Sequence, residues 1–196
     1  MELIKLKSSK NSFVEGPLLI KPNIFRDERG YFFESWNQSD FDKVIGNPTR
    51  FVQDNESFST KGVLRGLHYQ LRPFDQGKLV RCTYGSIYDV IVDLREKSPT
   101  FLHWIGSEIN EGNQYLLWIP KGFAHGFLTL SENAKVLYKT TKYWEKDYEK
   151  CLFWNDKKVQ INWPLDKINT PKPFLSDKDS KAISFEEAQK NDFLFK

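Results

Sequence analysis

The chain has 196 residues, enough for one domain with a substantial core. Its 29 lysines and arginines against 26 acidic residues leave a formal charge of +3 with no concentrated basic run, which argues against a nucleic-acid partner. No apolar stretch approaches the ~20 residues of a membrane span, Met1 is not followed by a signal-peptide pattern, and Cys82 and Cys151 have neither disulfide-framework nor zinc-ligand spacing. A reduced, cytoplasmic compartment is the expectation.

Aromatic residues make up 15% of the chain, and with glycine and proline punctuation they favour a β-rich domain over a helix bundle. Residues 1–25 carry short apolar runs, and LLIKPNIF reads as a strand broken by Pro22. RDERG (Arg26 to Gly30) is a charged turn, and YFFESW (Tyr31 to Trp36) resumes an aromatic strand. Asn37 to Ile45 has the spacing of a short helix stopped by Gly46. From Phe51 to about Trp163 strand-like segments recur at the interval expected of a sandwich or barrel. The tail from Ser176 to Lys196 is charged, with one small helix expected over Ser184 to Lys190. No internal repeat or low-complexity tract divides the chain, so residues 1–196 are expected to form a single domain.

The stretch GVLRGLHYQLRPFDQGK (Gly62 to Lys78) sets two arginines, a histidine, two glutamines and a lysine among strand formers. Such residues are costly to bury, so their convergence on an apolar interior needs a reason. Strand parity sharpens this, because alternate residues face opposite sides. In KLVRCTY, Lys78 shares a face with Val80, Cys82 and Tyr84; in AKVLYKT, Tyr138 shares one with Ala134 and Val136. Both polar side chains therefore point inward. Arg65 and His68 have opposite parity in an unbroken strand, and a bulge at Gly66 would realign them. Read alone, His68 equally suits a hydrogen-bonded core histidine, Tyr138 a barrel tyrosine, and Asp179 a solvated residue of the tail. His103 has no supporting pattern and reads as structural, and Tyr143-Trp144 as core or pocket wall.

Two segments resemble the cupin motifs: WIPKGFAHGF, with Pro120-x-Gly122-x-x-His125, and GLHYQLRPFDQGKLVRCTYG. Metal cupins carry His-x-His and a following acid; here those positions read His68-Tyr69-Gln70 and Gln76. Amides substitute poorly for imidazole and carboxylate, so no metal is expected.

The runs RDERGYFFESW, FVQDNESFSTKGVLRGLHYQ, QGKLVR, DLREKSPTF, IPKGFAHGF, VLYKTT, LFWND and FLSDKD, in this order over residues 17–180, resemble the dTDP-4-dehydrorhamnose 3,5-epimerase family. The resemblance implies an all-β, cupin-type jelly roll with a few short peripheral helices, free of metal and cofactor. It also implies action on a dTDP-4-keto-6-deoxy sugar and a homodimer with exchanged N-terminal strands. By the same resemblance His68 matches the general base, Asp179 the carboxylate that orients it, Lys78 the lysine near the keto oxygen, and Tyr138 the proton donor. Arg29, Glu34, Gln53, Asn55, Arg65, His125, Glu149 and Lys178 match substrate-contacting positions.

This chemistry suits those residue types. A 4-keto group acidifies the C–H bonds on both neighbouring carbons, so inversion needs a base on one face, a stabilised enolate and a proton from the other face. Histidine titrates near neutrality, and a buried lysine places positive charge where the oxyanion develops. The product, a 4-keto sugar of inverted configuration, would pass to a reductase in a deoxysugar pathway such as that to dTDP-L-rhamnose. The competing readings are an epimerase acting at C3 or C5 alone, a related ketoisomerase, a metal-dependent cupin oxygenase, and a sugar-binding cupin without catalysis.

Overall fold

The aromatic and β-branched runs do fold as short strands. A computed structural model describes residues 2–196. In chain order the elements are β1 (Glu2–Lys7), β2 (Phe13–Lys21), β3 (Phe25–Asp27), β4 (Gly30–Phe32), α1 (Gln38–Ile45), β5 (Gln53–Thr60), β6 (Leu64–Gln70) and β7 (Lys78–Tyr84). They continue with β8 (Ser86–Asp93), β9 (Trp104–Asn110), β10 (Leu116–Ile119), β11 (Phe123–Thr129), β12 (Asn133–Thr140), β13 (Glu149–Cys151), α2 (Asp177–Ser180) and α3 (Phe185–Lys190). One sheet has the order β1-β2-β10-β7-β12-β5 and the other β13-β6-β11-β8-β9, while β3 and β4 form a separate hairpin. The architecture is the cupin-type jelly roll. Among the described residues, no helix is long and apolar enough to cross a membrane.

Three apolar layers hold the sheets. Between them lie Val80, Cys82, Leu117, Ile119 and Val136 of the six-stranded sheet and Ile87, Ile91, Ile105, Phe123 and Phe127 of the other. Behind the five-stranded sheet, Leu64, Leu67, Tyr69, Val90 and Leu128 pack against the C-terminal segment through Trp154, Trp163, Phe185 and Phe195. Behind the six-stranded sheet, Phe41 of α1 meets Leu79, Leu116 and Trp118, with Trp36 and Phe51 stacked beside it. Each fully buried side chain of this size contributes roughly 1.5–3 kcal/mol.

Local signals fix the helix ends. Asn37 caps α1 by accepting from Asp40 N, and Gly46 closes it in the left-handed region at φ 75°. Ser184 and Glu187 form a reciprocal capping box on α3. The aromatic run after Gly30 differs from expectation: only Gly30–Phe32 is strand, and residues 33–36 leave the hairpin irregularly. Trp36 is drawn instead into the aromatic cluster over the six-stranded sheet. α2 was not expected; its four residues are too few for a periodic signal.

The bulge is present. Opposite β11, His125 pairs with His68 and Phe127 with Arg65, so two residues of β6, Gly66 and Leu67, face Gly126 alone. The strands approach so closely there that a Cβ on Gly66 would lie 2.6 Å from the Gly126 Cα, and φ at Gly66 is +120°. The extra residue puts Leu64, Leu67 and Tyr69 on the outer face together. Arg65 and His68 are thereby turned to the opposite, inner side.

Candidate active site

The inner faces of the two sheets carry different polar rows. On the five-stranded sheet, Cys151, His68 and His125 stand directly opposite one another across β13, β6 and β11, and Glu149 stands opposite Gln70. On the six-stranded sheet, Ile119, Lys78, Thr140 and Gln53 form one row, and Leu117, Val80, Tyr138 and Asn55 the next. Inward parity therefore puts His68 on one wall and Lys78 and Tyr138 on the other.

The C-terminal segment brings Asp179 to His68. It is tied to the turn before β6 by Phe174 N donating to Gly62 O at 2.8 Å, to β6 by Leu64 N donating to Phe174 O at 3.0 Å, and to β13 by Ile183 N donating to Cys151 O at 3.0 Å. Between these ties α2 sets the Asp179 carboxylate 2.6 Å from His68 Nε2. Asp179 is buried, while the His68 side chain keeps 25% exposure. Ser176 Oγ donates to the other Asp179 oxygen at 2.8 Å, and the Cys151 thiol lies 3.6 Å from the first. Burial pushes the Asp179 carboxyl up, but the His68 hydrogen bond and charge, with Ser176 and Cys151, outweigh it and hold it below its ordinary value. The Cys151 thiol is pushed well up by burial and by the neighbouring Asp179 charge, so it keeps its proton and can donate it.

Lys78 is buried, and desolvation lowers it from 10.5 to about 8, against the raising charges of Glu149 and Asp89. It remains a cation at neutral pH. Tyr138 is raised by burial and by Glu149, with Arg65 opposing, so the phenol holds its proton. Glu149 is buried enough to be pushed up, yet Lys178 (2.5 Å away) and the Trp144 indole N–H (2.9 Å) hold it ionised and below the usual range. His125 Nε2 meets both oxygens of the buried Asp89, at 2.9 and 3.0 Å.

Most of the expected residues come together. Gln53 donates to Asn55 at 2.8 Å on β5 beside Tyr138, and Arg65 reaches across to that strand, donating to Ser59 Oγ at 2.9 Å and Phe58 O at 3.1 Å. Arg29 and Glu34 stand apart. Arg29 is paired with Asp27 on the β3–β4 hairpin with its side chain 85% exposed. Glu34 accepts from Asn37 and lines a recess with Leu79 and Leu116 on the outer face of the six-stranded sheet. Within one chain, neither hydrogen-bonds to a residue of the inner rows.

Sequence reasoning missed Cys151, Ser176 and Asp89. Parity in EKC would have put Cys151 on the face of Glu149, and Ser176-x-x-Asp179 carries the spacing of a helix cap. The two amides at cupin ligand positions hold loops: Gln70 Nε2 donates to Phe74 O and Tyr143 O while its Oε1 accepts from Glu145 N, and Gln76 donates to Lys142 O. His68 Nε2, Cys151 Sγ and an Asp179 oxygen lie within 4.8 Å of one another, near enough to suggest a cation. The 2.6 Å N–O separation is that of a shared proton, however; ligands on a tetrahedral zinc stand about 3.3 Å apart.

Three comparisons bear on this arrangement. A family model described as dTDP-4-dehydrorhamnose 3,5-epimerase matches residues 11–187. The dTDP-4-dehydrorhamnose 3,5-epimerase of Pseudomonas aeruginosa is 52% identical over 171 residues, covering 87% of this chain and 92% of that protein. Among solved structures, the 3,5-epimerase of Legionella pneumophila in complex with dTDP-4-keto-L-rhamnose superposes with a TM-score of 0.88 at 39% identity, covering 100% of this chain and 98% of that one. The Mycobacterium tuberculosis epimerase gives 0.93 at 35% identity, covering 100% and 94%.

Proposed function

The chain belongs to the dTDP-4-dehydrorhamnose 3,5-epimerase family, and on that premise we propose how its residues invert C3 and C5 of dTDP-4-dehydro-6-deoxy-D-glucose. The observation that carries the reading is the His68–Asp179 pair on one wall of the barrel, with Lys78 and Tyr138 on the wall facing it. His68 Nε2 is committed to Asp179, which leaves Nδ1 to take the proton from the carbon beside the keto group. The electron pair of the broken C–H bond moves into the C4 carbonyl, and the oxygen becomes an oxyanion. Lys78, still charged below pH about 8, stabilises that oxygen in a desolvated setting where a cation acts more strongly than in water. Tyr138, its proton retained by burial, returns a proton to the opposite face. Solvent then reprotonates the phenol and takes the proton from His68. The same cycle at the second carbon gives the 3,5-inverted product, dTDP-4-dehydro-L-rhamnose.

Gln53, Asn55, Arg65, His125, Glu149 and Lys178 complete the substrate contacts in this reading, with Arg65 suited to the diphosphate by its paired donors. Arg29 and Glu34 are assigned to the site of a partner. The hairpin bearing Arg29 leaves Phe25, Tyr31 and Phe32 exposed, an apolar surface that suits a second copy of this chain. We therefore include a homodimer in the proposal; a monomeric mass by light scattering, with full activity, would refute it. Both cysteines are free thiols, in keeping with action in the cytoplasm.

The deciding experiment is proton NMR of dTDP-4-dehydro-6-deoxy-D-glucose incubated with the protein in heavy water. Deuterium is expected at both C3 and C5, with inverted product. Deuterium at one carbon alone would replace the reading with a mono-epimerase, and none at either would refute it.

A further inference from the structure

The catalytic carboxylate is held from both sides. His68 Nε2 and the Cys151 thiol converge on Asp179 Oδ1, at 2.6 and 3.6 Å, while Ser176 Oγ donates to Oδ2 at 2.8 Å. The Ser176 hydroxyl also accepts from the Asp179 backbone N–H at 3.1 Å, so one side chain fixes both the main chain and the carboxylate of the same residue. Cys151 is buried on β13 directly opposite His68, and its thiol cannot serve as a nucleophile while burial keeps it protonated. We propose that Ser176 and Cys151 are positioning residues of the epimerase base: they hold Asp179 in line with His68 Nε2, and so reserve Nδ1 for the substrate.

A carboxylate in a loop-borne helix of four residues has little else to orient it. A hydrogen bond to an ionised group is among the stronger polar contacts, and its loss leaves the carboxylate both looser and more basic. The two consequences are separately measurable. Looseness lowers turnover, whereas basicity moves the proton uptake of the His68–Asp179 pair to higher pH. Around the pair stand Glu149 on β13, Lys178 on α2, Lys78 on β7, Tyr138 on β12 and His125 on β11. All of these remain in every variant used below, so their charges are common to the comparison.

The test takes Ser176→Ala, Ser176→Thr and Cys151→Ala in the full chain, with kcat and KM read from C3 and C5 exchange, and the titration of the pair followed through the His68 ring proton by NMR. The chain has only three histidines, which makes that signal accessible. Ser176→Ala should lower kcat by about tenfold or more with KM within about twofold, and move the acid limb of kcat/KM and the NMR midpoint upward. Threonine, which keeps the hydroxyl, should restore most of the rate. Cys151→Ala should shift both readouts the same way but less, its contact being longer. Unchanged turnover and midpoint in Ser176→Ala would overturn the proposal. So would a loss that leaves the midpoint in place, whether or not threonine restores it, since helix capping, which threonine also supplies, would explain a loss of turnover alone. Should Ser176→Ala fail to fold, Cys151→Ala decides: an unmoved midpoint overturns the role, a raised one supports it. The proposal rests on the reaction assigned above, but the NMR titration needs no substrate. A raised midpoint in a protein inactive on the dTDP-sugar would refute that reaction and still support the positioning.

Discussion

Two histidine–carboxylate pairs lie side by side on the five-stranded sheet, with His68 and His125 directly opposite each other across β6 and β11. They have the same chemical composition and different surroundings. His68 keeps a quarter of its side chain exposed, and its carboxylate comes from a helix 111 residues further along the chain. His125 is 9% exposed and Asp89 fully buried, both on central strands of the sheet. In the first pair one ring nitrogen remains open to a ligand. In the second the ring is locked by both carboxylate oxygens, and the negative charge of Asp89 is felt instead by Lys78 across the barrel. In the proposed mechanism, access is what makes one histidine–carboxylate pair a base and the other a fixed charge.

The largest expected effect separates the two histidines. His68→Asn removes the proposed base, and exchange at both C3 and C5 should fall at least about a hundredfold. His125→Asn keeps a hydrogen-bonding group beside Asp89 and should spare most exchange while weakening substrate binding. Equal losses in the two variants, measured by deuterium wash-in, would mean that access does not distinguish the pairs.

Lys78→Met sharpens the electrostatic side. Loss of the cation proposed to face the oxyanion should cost about 10²–10³ in kcat. The same change should stabilise the fold. Lys78 is depressed to about 8 from 10.5, so between those values the unfolded chain holds a proton that the folded one has released, and stability rises with pH across that window. Below pH 8 the cost of burying the charge is present in full, and methionine removes it, a gain on the order of 3 kcal/mol at most. Denaturant melts at pH 7 check this; a variant no more stable than the parent would show that Lys78 is well solvated.

How much of this was legible depended on the range of each contact. Inward Lys78 and Tyr138 followed from two-residue periodicity, whereas Gly66 only allowed a bulge between Arg65 and His68, and the pairing with β11 was needed to decide it. Helix α1 was readable because Asn37 and Gly46 mark its ends. Asp179 had no such signal: in a charged tail it looks like solvated surface, and its burial depends on backbone ties to β6 and β13 that no local pattern encodes. It was reached through the family resemblance alone. YFFESW misled because an aromatic run fits a strand and a packing cluster equally well, and Trp36 took the second course.

Tyr138→Phe has a smaller and more specific consequence. The ring and its packing remain but the donor is gone. The proposed proton abstraction by His68 should survive, so deuterium should enter faster than inverted product appears, raising the ratio of exchange to epimerisation. Parent-rate epimerisation in this variant would reduce Tyr138 to a wall residue and make the exposed Tyr143 the next donor to examine.

The smallest effect returns to the second pair. Asp89 is one of the anions that hold Lys78 up against desolvation, after Glu149. Asp89→Asn removes that support, so Lys78 should lose its proton at a lower pH. If the lysine acts as a cation, as proposed, activity falls where the proton is lost, and the basic limb of kcat/KM should move downward by less than about one pH unit. Its rate near pH 6 should change little. Asp179→Asn is the matched contrast: the carboxylate it removes favours the charged imidazolium, so the acid limb should move down while the basic limb stays. If Asp89→Asn leaves the basic limb in place, or if both substitutions move the same limb, the two pairs are not divided between proton transfer and fixed charge.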